Sequence, residues 1–152
     1  MRWTASFVLC LLLTIAFVPR AYAAGCDTPG ERAVIDGWFG RLDAAWRHQD
    51  AAASAALFTP DAEYQEDAFS APMRGDKAIR AYWIRLAHAQ RDVHARHDVL
   101  SACGNTGIVH WTASFVRVPS GQKVRLDGIA EVTLDRHGKG ALFLEWWNID
   151  QR

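Results

Sequence analysis

The texture of this chain changes at Arg91. Before it, apolar residues recur at helical spacing; after it, they gather in strand-length runs rich in β-branched and aromatic side chains. From Pro29 to Asp50, Val34, Trp38, Leu42 and Trp46 fall on one helical stripe, with Ile35 and Phe39 beside it. Thr28 reads as the N-cap and Pro29 as the first helical residue. A second, shorter helix is predicted over 50–58, stopping at Thr59-Pro60 because proline cannot continue it. "DAEYQED" (61–67) reads as extended, and "GDKAIRAYWIRLAHAQ" (75–90) as a third helix with Ile79, Tyr82, Trp83 and Leu86 inward. "DVHARHDVLSA", "GIVHWTASFVRV", "QKVRLDGIAEVTLD" and "GALFLEWWNID" then read as strands, the last three separated by the turns "PSGQ" and "DRHGKG". Helices followed by a run of antiparallel strands make one α+β domain.

Residues 1–23 read as a cleaved signal peptide. Arg2 supplies a basic start, and Phe7 to Val18 form an apolar run too short for a membrane span. Ala21-Tyr22-Ala23 then puts small residues at the two positions a signal peptidase reads. An uncleaved anchor and a lipid-modified Cys26 are the alternatives. The whole chain has 17 basic and 17 acidic residues, so losing Arg2 and Arg20 leaves residues 24–152 slightly acidic. That balance points neither to nucleic acid nor, after cleavage, to an anionic membrane surface. Export implies the periplasm or the cell exterior, where disulfides persist. Cys26 and Cys103 remain once Cys10 leaves with the leader. They either form one bridge, worth about 3–4 kcal/mol, or stand too far apart to bond.

The layout resembles the nuclear transport factor 2-like, or SnoaL-like, superfamily across nearly all of 24–152. The likeness is carried by the early helices, a short strand ending in acids, a helix opening "RGDKAIRAYW" and a meander ending in "EWWN". It implies a cone, with three N-terminal helices packed on a strongly bent, mainly antiparallel sheet around a pocket. By analogy alone it also implies a homodimer through the outer sheet face. The superfamily holds isomerases, cyclases, dehydratases, hydrolases and non-catalytic binders, so function has to be read from the pocket. "DAEYQEDAFSAPMRGDKAIRAYW" aligns without gaps to the ketosteroid isomerases and puts Glu66 where they carry their general-base aspartate. Leu42 stands at the position of their tyrosine donor and Ala130 at that of their protonated aspartic acid. Oxyanion donors are usually the largest catalytic contribution, so the resemblance does not extend to that mechanism.

Strand parity places Tyr64 and Glu66 on one face and Glu63, Gln65 and Asp67 on the other. The family register turns Trp111, Ala113, Phe115 and Arg117 inward, and on the last strand Phe143, Glu145, Trp147 and Ile149. The pocket so predicted has Trp111, Phe115, Phe143 and Trp147 as walls and Tyr82 or Trp83 near the mouth. Each aromatic alone is ordinary core, but as a set they suit a small hydrophobic or flat organic ligand. Glu66, Glu145 and Arg117 are the polar points. A carboxylate unpaired there becomes a usable acid or base; paired with Arg117 it stays ionised as a clamp. Asp127 faces out by parity unless Gly128 marks a bulge. His94 and His97 fall on opposite strand faces; His97 can approach His110, but no third ligand completes a zinc site. Neither metal nor cofactor is expected.

Three readings follow. The chain is an exported binding protein for a small hydrophobic molecule, an acid–base enzyme (isomerase, cyclase or lyase), or an assembly module plugged by its own side chains. In the enzyme, Glu66 is the base and Glu145 or Tyr64 its partner. A cavity in the usual range of ~300–1,000 Å³ separates the first reading from the third.

Overall fold

The computed structural model describes residues 25–151, so the leader expected over 1–23 lies outside the described residues. In chain order the elements are α1 (Pro29–Arg47), α2 (Ala51–Ala56), β1 (Phe58–Gln65), β2 (Met73–Arg74), α3 (Asp76–Ala89), β3 (Gln90–Cys103), β4 (Thr106–Arg117), β5 (Lys123–Leu134) and β6 (Gly140–Gln151). The strands form a six-stranded sheet in the order β2-β1-β6-β5-β4-β3. Among the described residues only β1 and β6 pair in parallel; every other neighbour is antiparallel. This is the α+β cone, with three helices against a bent mixed sheet.

Helix α1 starts where its sequence says it should. The Thr28 hydroxyl accepts from the Glu31 amide at 3.2 Å, and Glu31 Oε2 accepts from the Thr28 amide at 2.9 Å. Two donors that the first helical turn leaves orphaned are thereby satisfied. Its buried face is Ile35, Trp38, Phe39 and Leu42, whereas Val34 is 55% exposed. The true stripe is therefore rotated away from the one the spacing predicts.

Three boundaries differ from expectation. α2 ends at Ala56, and Pro60 lies inside β1, within the stretch from Phe58 to Glu63 where the pairing with β6 shifts register. A proline that cannot donate to the ladder is tolerated at such an irregularity. β1 then closes at Gln65, which leaves Glu66 and Asp67 in the following turn. There Asp67 accepts from the Phe69 and Ser70 amides at 2.7 and 2.9 Å. The two-residue β2 carries too little pattern to be foreseen, and its Arg74 pairs with Glu63 at 2.6 Å.

The core is built on aromatic edges. Trp38, fully buried, meets Phe39, Phe58 and Phe143 with ring centroids 5.2, 5.4 and 5.8 Å apart. Such edge-on and tilted pairs add to the area they bury. A smaller cluster of Val93, Phe115 and Val124 fills the other end of the sheet.

Cys26 and Cys103 are joined, closing a sequence separation of 77 residues. The segment is also pinned by the Ala102 amide donating to Asp27 Oδ1 at 2.9 Å and by an Arg32–Asp27 ion pair at 2.7 Å. Replacing both cysteines with serine is expected to lower the unfolding free energy by about 4 kcal/mol, read in denaturant melts. A loss under about 1 kcal/mol would show that these polar contacts hold the segment without the bridge.

Candidate active site

Between the helices and the inner sheet face lies a cavity of about 60 Å³. β1 delivers Tyr64 to it and the following turn Glu66; α3 contributes Tyr82 and Trp83, and β6 contributes Glu145 and Trp147. Trp46 from α1, Trp111 from β4 and Leu126 from β5 complete the apolar wall. Glu66 and Trp147 are the half-buried polar and aromatic members of the lining from the β1–β2 turn and β6. The volume is well below the several hundred cubic ångströms expected of a ligand pocket, because the aromatic rings occupy most of the cone. It admits a few heavy atoms, the size of one functional group.

Two tryptophans crowd one backbone position here, and the residue at it has no side chain. Gly128 on β5 pairs with Trp111 on one side and Trp147 on the other. A Cβ at this position would sit 2.6 Å from the Trp146 carbonyl oxygen, 2.7 Å from Trp147 Cβ and 3.1 Å from Trp111 Cε2. A backbone oxygen cannot swing aside. Gly128→Ala should therefore cost about 1–3 kcal/mol in stability and disturb both ring positions, seen as a changed tryptophan emission. An unchanged melt and spectrum would mean that the sheet widens freely at this point.

Glu145 is the central polar group, buried with its Oε1 2.6 Å from the Tyr64 hydroxyl, which donates to it when the carboxylate is ionised. Burial pushes its pKa from the ordinary 4.5 up to about 8, the Tyr64 hydrogen bond pulling the other way and the Glu66 charge adding to the rise. It is accordingly a largely neutral acid at pH 7. The Glu66 pKa is also raised, first by burial, with the Tyr82 hydroxyl and the Arg85 charge opposing and the Asp67 charge reinforcing. Glu66 is half-buried, whereas Glu145 is buried. One cavity thus faces two carboxyl groups of the same residue type, one buried and one half-buried. The comparison with ketosteroid isomerases left Ala130 where an acid was wanted; the residue directly across from Ala130 on β6 is Glu145. The buried acid is present, one strand over.

The other predicted site residues divide. Tyr64, Trp83, Trp111 and Trp147 do line the cavity together with the two glutamates. Phe143 lies behind it, its ring centroid 4.7 Å from that of Tyr64 and packed into the main core. Phe115 belongs to the separate cluster with Val93 and Val124, because the long β4 strand carries it past the end of the chamber. Arg117, the last residue of β4, donates to Gln122 at 3.2 Å and forms no clamp on either glutamate. Ile149, on the same parity, is 41% exposed. Asp127 faces outward and meets His110 at 3.0 Å, with no bulge at Gly128.

His97 does not approach His110. Its Nδ1 lies 2.7 Å from Asp43 and its Nε2 3.2 Å from Asp36, bracing β3 against α1. The Asp43 hydrogen bond is the first cause of a raised His97 pKa, opposed by burial. No local pattern announces this pair, since Asp43 and His97 are 54 residues apart.

The family model of the SnoaL-like domain matches residues 39–142. The chain belongs to this family. Among solved structures, the SnoaL-like chain is similar to SalBIII, an epoxide hydrolase/cyclase-like enzyme described for its role in pyran ring formation in the polyether salinomycin. The two superpose with a TM-score of 0.67 at 20% identity, over 79% of this chain and 94% of that one. At that identity the likeness shows a shared SnoaL-like fold, one that hosts enzymes and ligand binders. No curated protein matches the sequence.

Proposed function

We propose that this SnoaL-like domain is an acid–base enzyme acting on an uncharged oxygen-bearing group of a small organic molecule, as an isomerase, cyclase or lyase. One observation carries the reading: a buried, largely neutral Glu145 and a half-buried Glu66 face the same aromatic cavity. Glu145 protonates the substrate oxygen while Glu66 takes a proton from carbon, hydroxyl or water. The aromatic walls exclude bulk water and strengthen both electrostatic effects. SalBIII is described as epoxide hydrolase/cyclase-like with a role in pyran ring formation, and epoxide opening is a reaction that the same pairing of acid and base can drive. The cavity takes the reacting group while the rest of the molecule lies over the half-buried rim. The test is a panel of small epoxides and carbonyl compounds incubated with the protein and followed by mass spectrometry, with Glu66→Gln as control. Conversion that depends on Glu66 supports the proposal; unchanged compounds throughout overturn it.

A second reading, a domain that works by assembly with its cone filled, is favoured by the small volume of about 60 Å³. It also fits the outer sheet face, where Trp146 is 46% exposed beside its cross-strand partner Ile129, a surface suited to a second copy of this chain. Sedimentation equilibrium separates monomer from homodimer. In either reading we place the domain outside the cytoplasm, after cleavage of a signal peptide, a setting in which the Cys26–Cys103 bond persists.

A further inference from the structure

The chain as a whole is electrically balanced, with 17 basic and 17 acidic residues, but the charges are unevenly placed. One end of the outer sheet face gathers arginines. His94 and Arg96 on β3 are two residues apart and share a side, as do Thr112 and Ser114 on β4. The ladder pairs Arg96 with Thr112 and sets His94, Ser114 and Arg125 of β5 in one row. Residues opposite each other on neighbouring strands share a face. Ala95 and Ala113, which alternate with them, are buried in the core, so these five residues face away from it. With Arg47 from the last turn of α1 they line a cleft of about 510 Å³ that no carboxylate borders among the described residues. A second cleft, of about 470 Å³, shares His94, Ser114 and Arg125 and continues past Phe115, Val116 and Val124. The two form one groove, cationic at one end and partly apolar at the other.

The acids near this groove are already engaged. Asp150 pairs with Arg125 at 2.8 Å, and Asp92, in the second cleft, pairs with Arg91 at 2.6 Å. Asp127, across from Thr112, meets His110 at 3.0 Å, and Asp98 stands across from the same histidine. Arg47 and Arg96 form no ion pair among the described residues. Arg47 donates through Nε to the Asp43 backbone oxygen at 3.3 Å, which leaves its terminal nitrogens uncommitted. We propose that this groove binds an organic phosphate monoester, with its phosphate held by Arg47 and Arg96 and its apolar body lying toward Val116. Two uncompensated guanidiniums match the charge of about −2 on a phosphate monoester near neutral pH, whereas a carboxylate would satisfy only one. Guanidinium forks grip such oxyanions bidentately, and the Thr112 and Ser114 hydroxyls add donors between them. The groove shares no lining residue with the Glu145 cavity, so it stands apart from the acid–base reading.

The test titrates phenyl phosphate into the disulfide-bonded protein at low salt and follows backbone amide NMR shifts. Saturable shifts are expected around residues 94–96 and 112–114. Arg47→Gln and Arg96→Gln should each weaken binding about 10-fold; both side chains are exposed, and either variant serves if the other folds poorly. Lys77→Gln removes an exposed cation on α3 outside the groove and should leave binding unchanged. Inorganic phosphate, which has no apolar body, should bind more weakly than phenyl phosphate. Shifts elsewhere, or an equal loss in Lys77→Gln, would overturn the proposal in favour of diffuse attraction. Benzoate bound as tightly as phenyl phosphate would overturn the assignment to a phosphate. Two further outcomes would overturn it by giving the face another occupant. One is Arg96-dependent sedimentation with phosphatidylglycerol vesicles in the absence of phenyl phosphate binding. The other is a dimer that Arg96→Gln converts to monomer.

Discussion

Unfolding free energy is expected to fall by on the order of 5 kcal/mol between about pH 5 and pH 9, and Glu145→Gln should remove most of that fall. The folded pKa of Glu145 is about 8 against an ordinary 4.5. Each unit of that difference is worth about 1.4 kcal/mol. Between the two values the folded protein holds a proton that the unfolded chain has released. The contribution is therefore complete below pH 4.5 and is lost as the pH rises through about 8. Glutamine keeps the shape, can accept from Tyr64 and cannot ionise. His97 acts in the same direction, because its pKa is raised above 6.5 chiefly by Asp43 and its stabilisation is lost as the pH climbs through the folded value. The difference between wild type and variant isolates Glu145 from it. Asp27, Glu31 and Asp67 are held low, first by hydrogen bonds to Arg32, Thr28 and Ser70, and their contributions fail only at the acid end. Urea melts of both proteins at pH 5, 7 and 9 make the comparison. Parallel curves would show that Glu145 is ionised throughout.

Glu66→Gln is expected to lower turnover by about 10²–10⁴-fold, the usual weight of a positioned general base. Binding should change little, since glutamine fills the same volume and the Trp147 indole donates to the Glu66 backbone oxygen, at 2.8 Å, rather than to the side chain. A kcat loss at near-constant KM is the signature of a group used only in the transition state. The same substitution removes one cause of the raised Glu145 pKa, so the alkaline limb of any residual pH–rate profile should move to lower pH. Activity within about threefold of wild type would mean that another group takes the proton.

The elements governed by neighbouring residues were legible in the sequence. The Thr28–Glu31 capping box, the Pro29 start, the apolar face of α3 and the meander after Arg91 all depend on spacings of a few residues. Strand parity directs Glu66 to the same side as Tyr64, and both line the cavity although the strand stops at Gln65. Long strands were read too far. Parity gives Phe115 and Arg117 the same side as Trp111, but the cavity spans only part of β4, so both lie past its end. Contacts between distant segments were not legible at all. The Tyr64–Glu145 hydrogen bond joins residues 81 apart, and only parallel pairing of β1 with β6, brought about by the fold, sets them side by side. The small size of the chamber follows from how seven or more large rings interlock, which composition suggests but does not determine.

The proposed acid–base chemistry requires one protonation state: Glu145 neutral at pH 7 inside an aromatic chamber. Infrared spectra of the wild type minus those of Glu145→Gln, recorded across the pH range, read it directly through the C=O band of a protonated carboxyl. The band should persist at pH 7 and disappear through about pH 8. Its disappearance near the ordinary value of 4.5 would show a carboxylate already ionised in the resting protein, and no acid there to protonate a substrate.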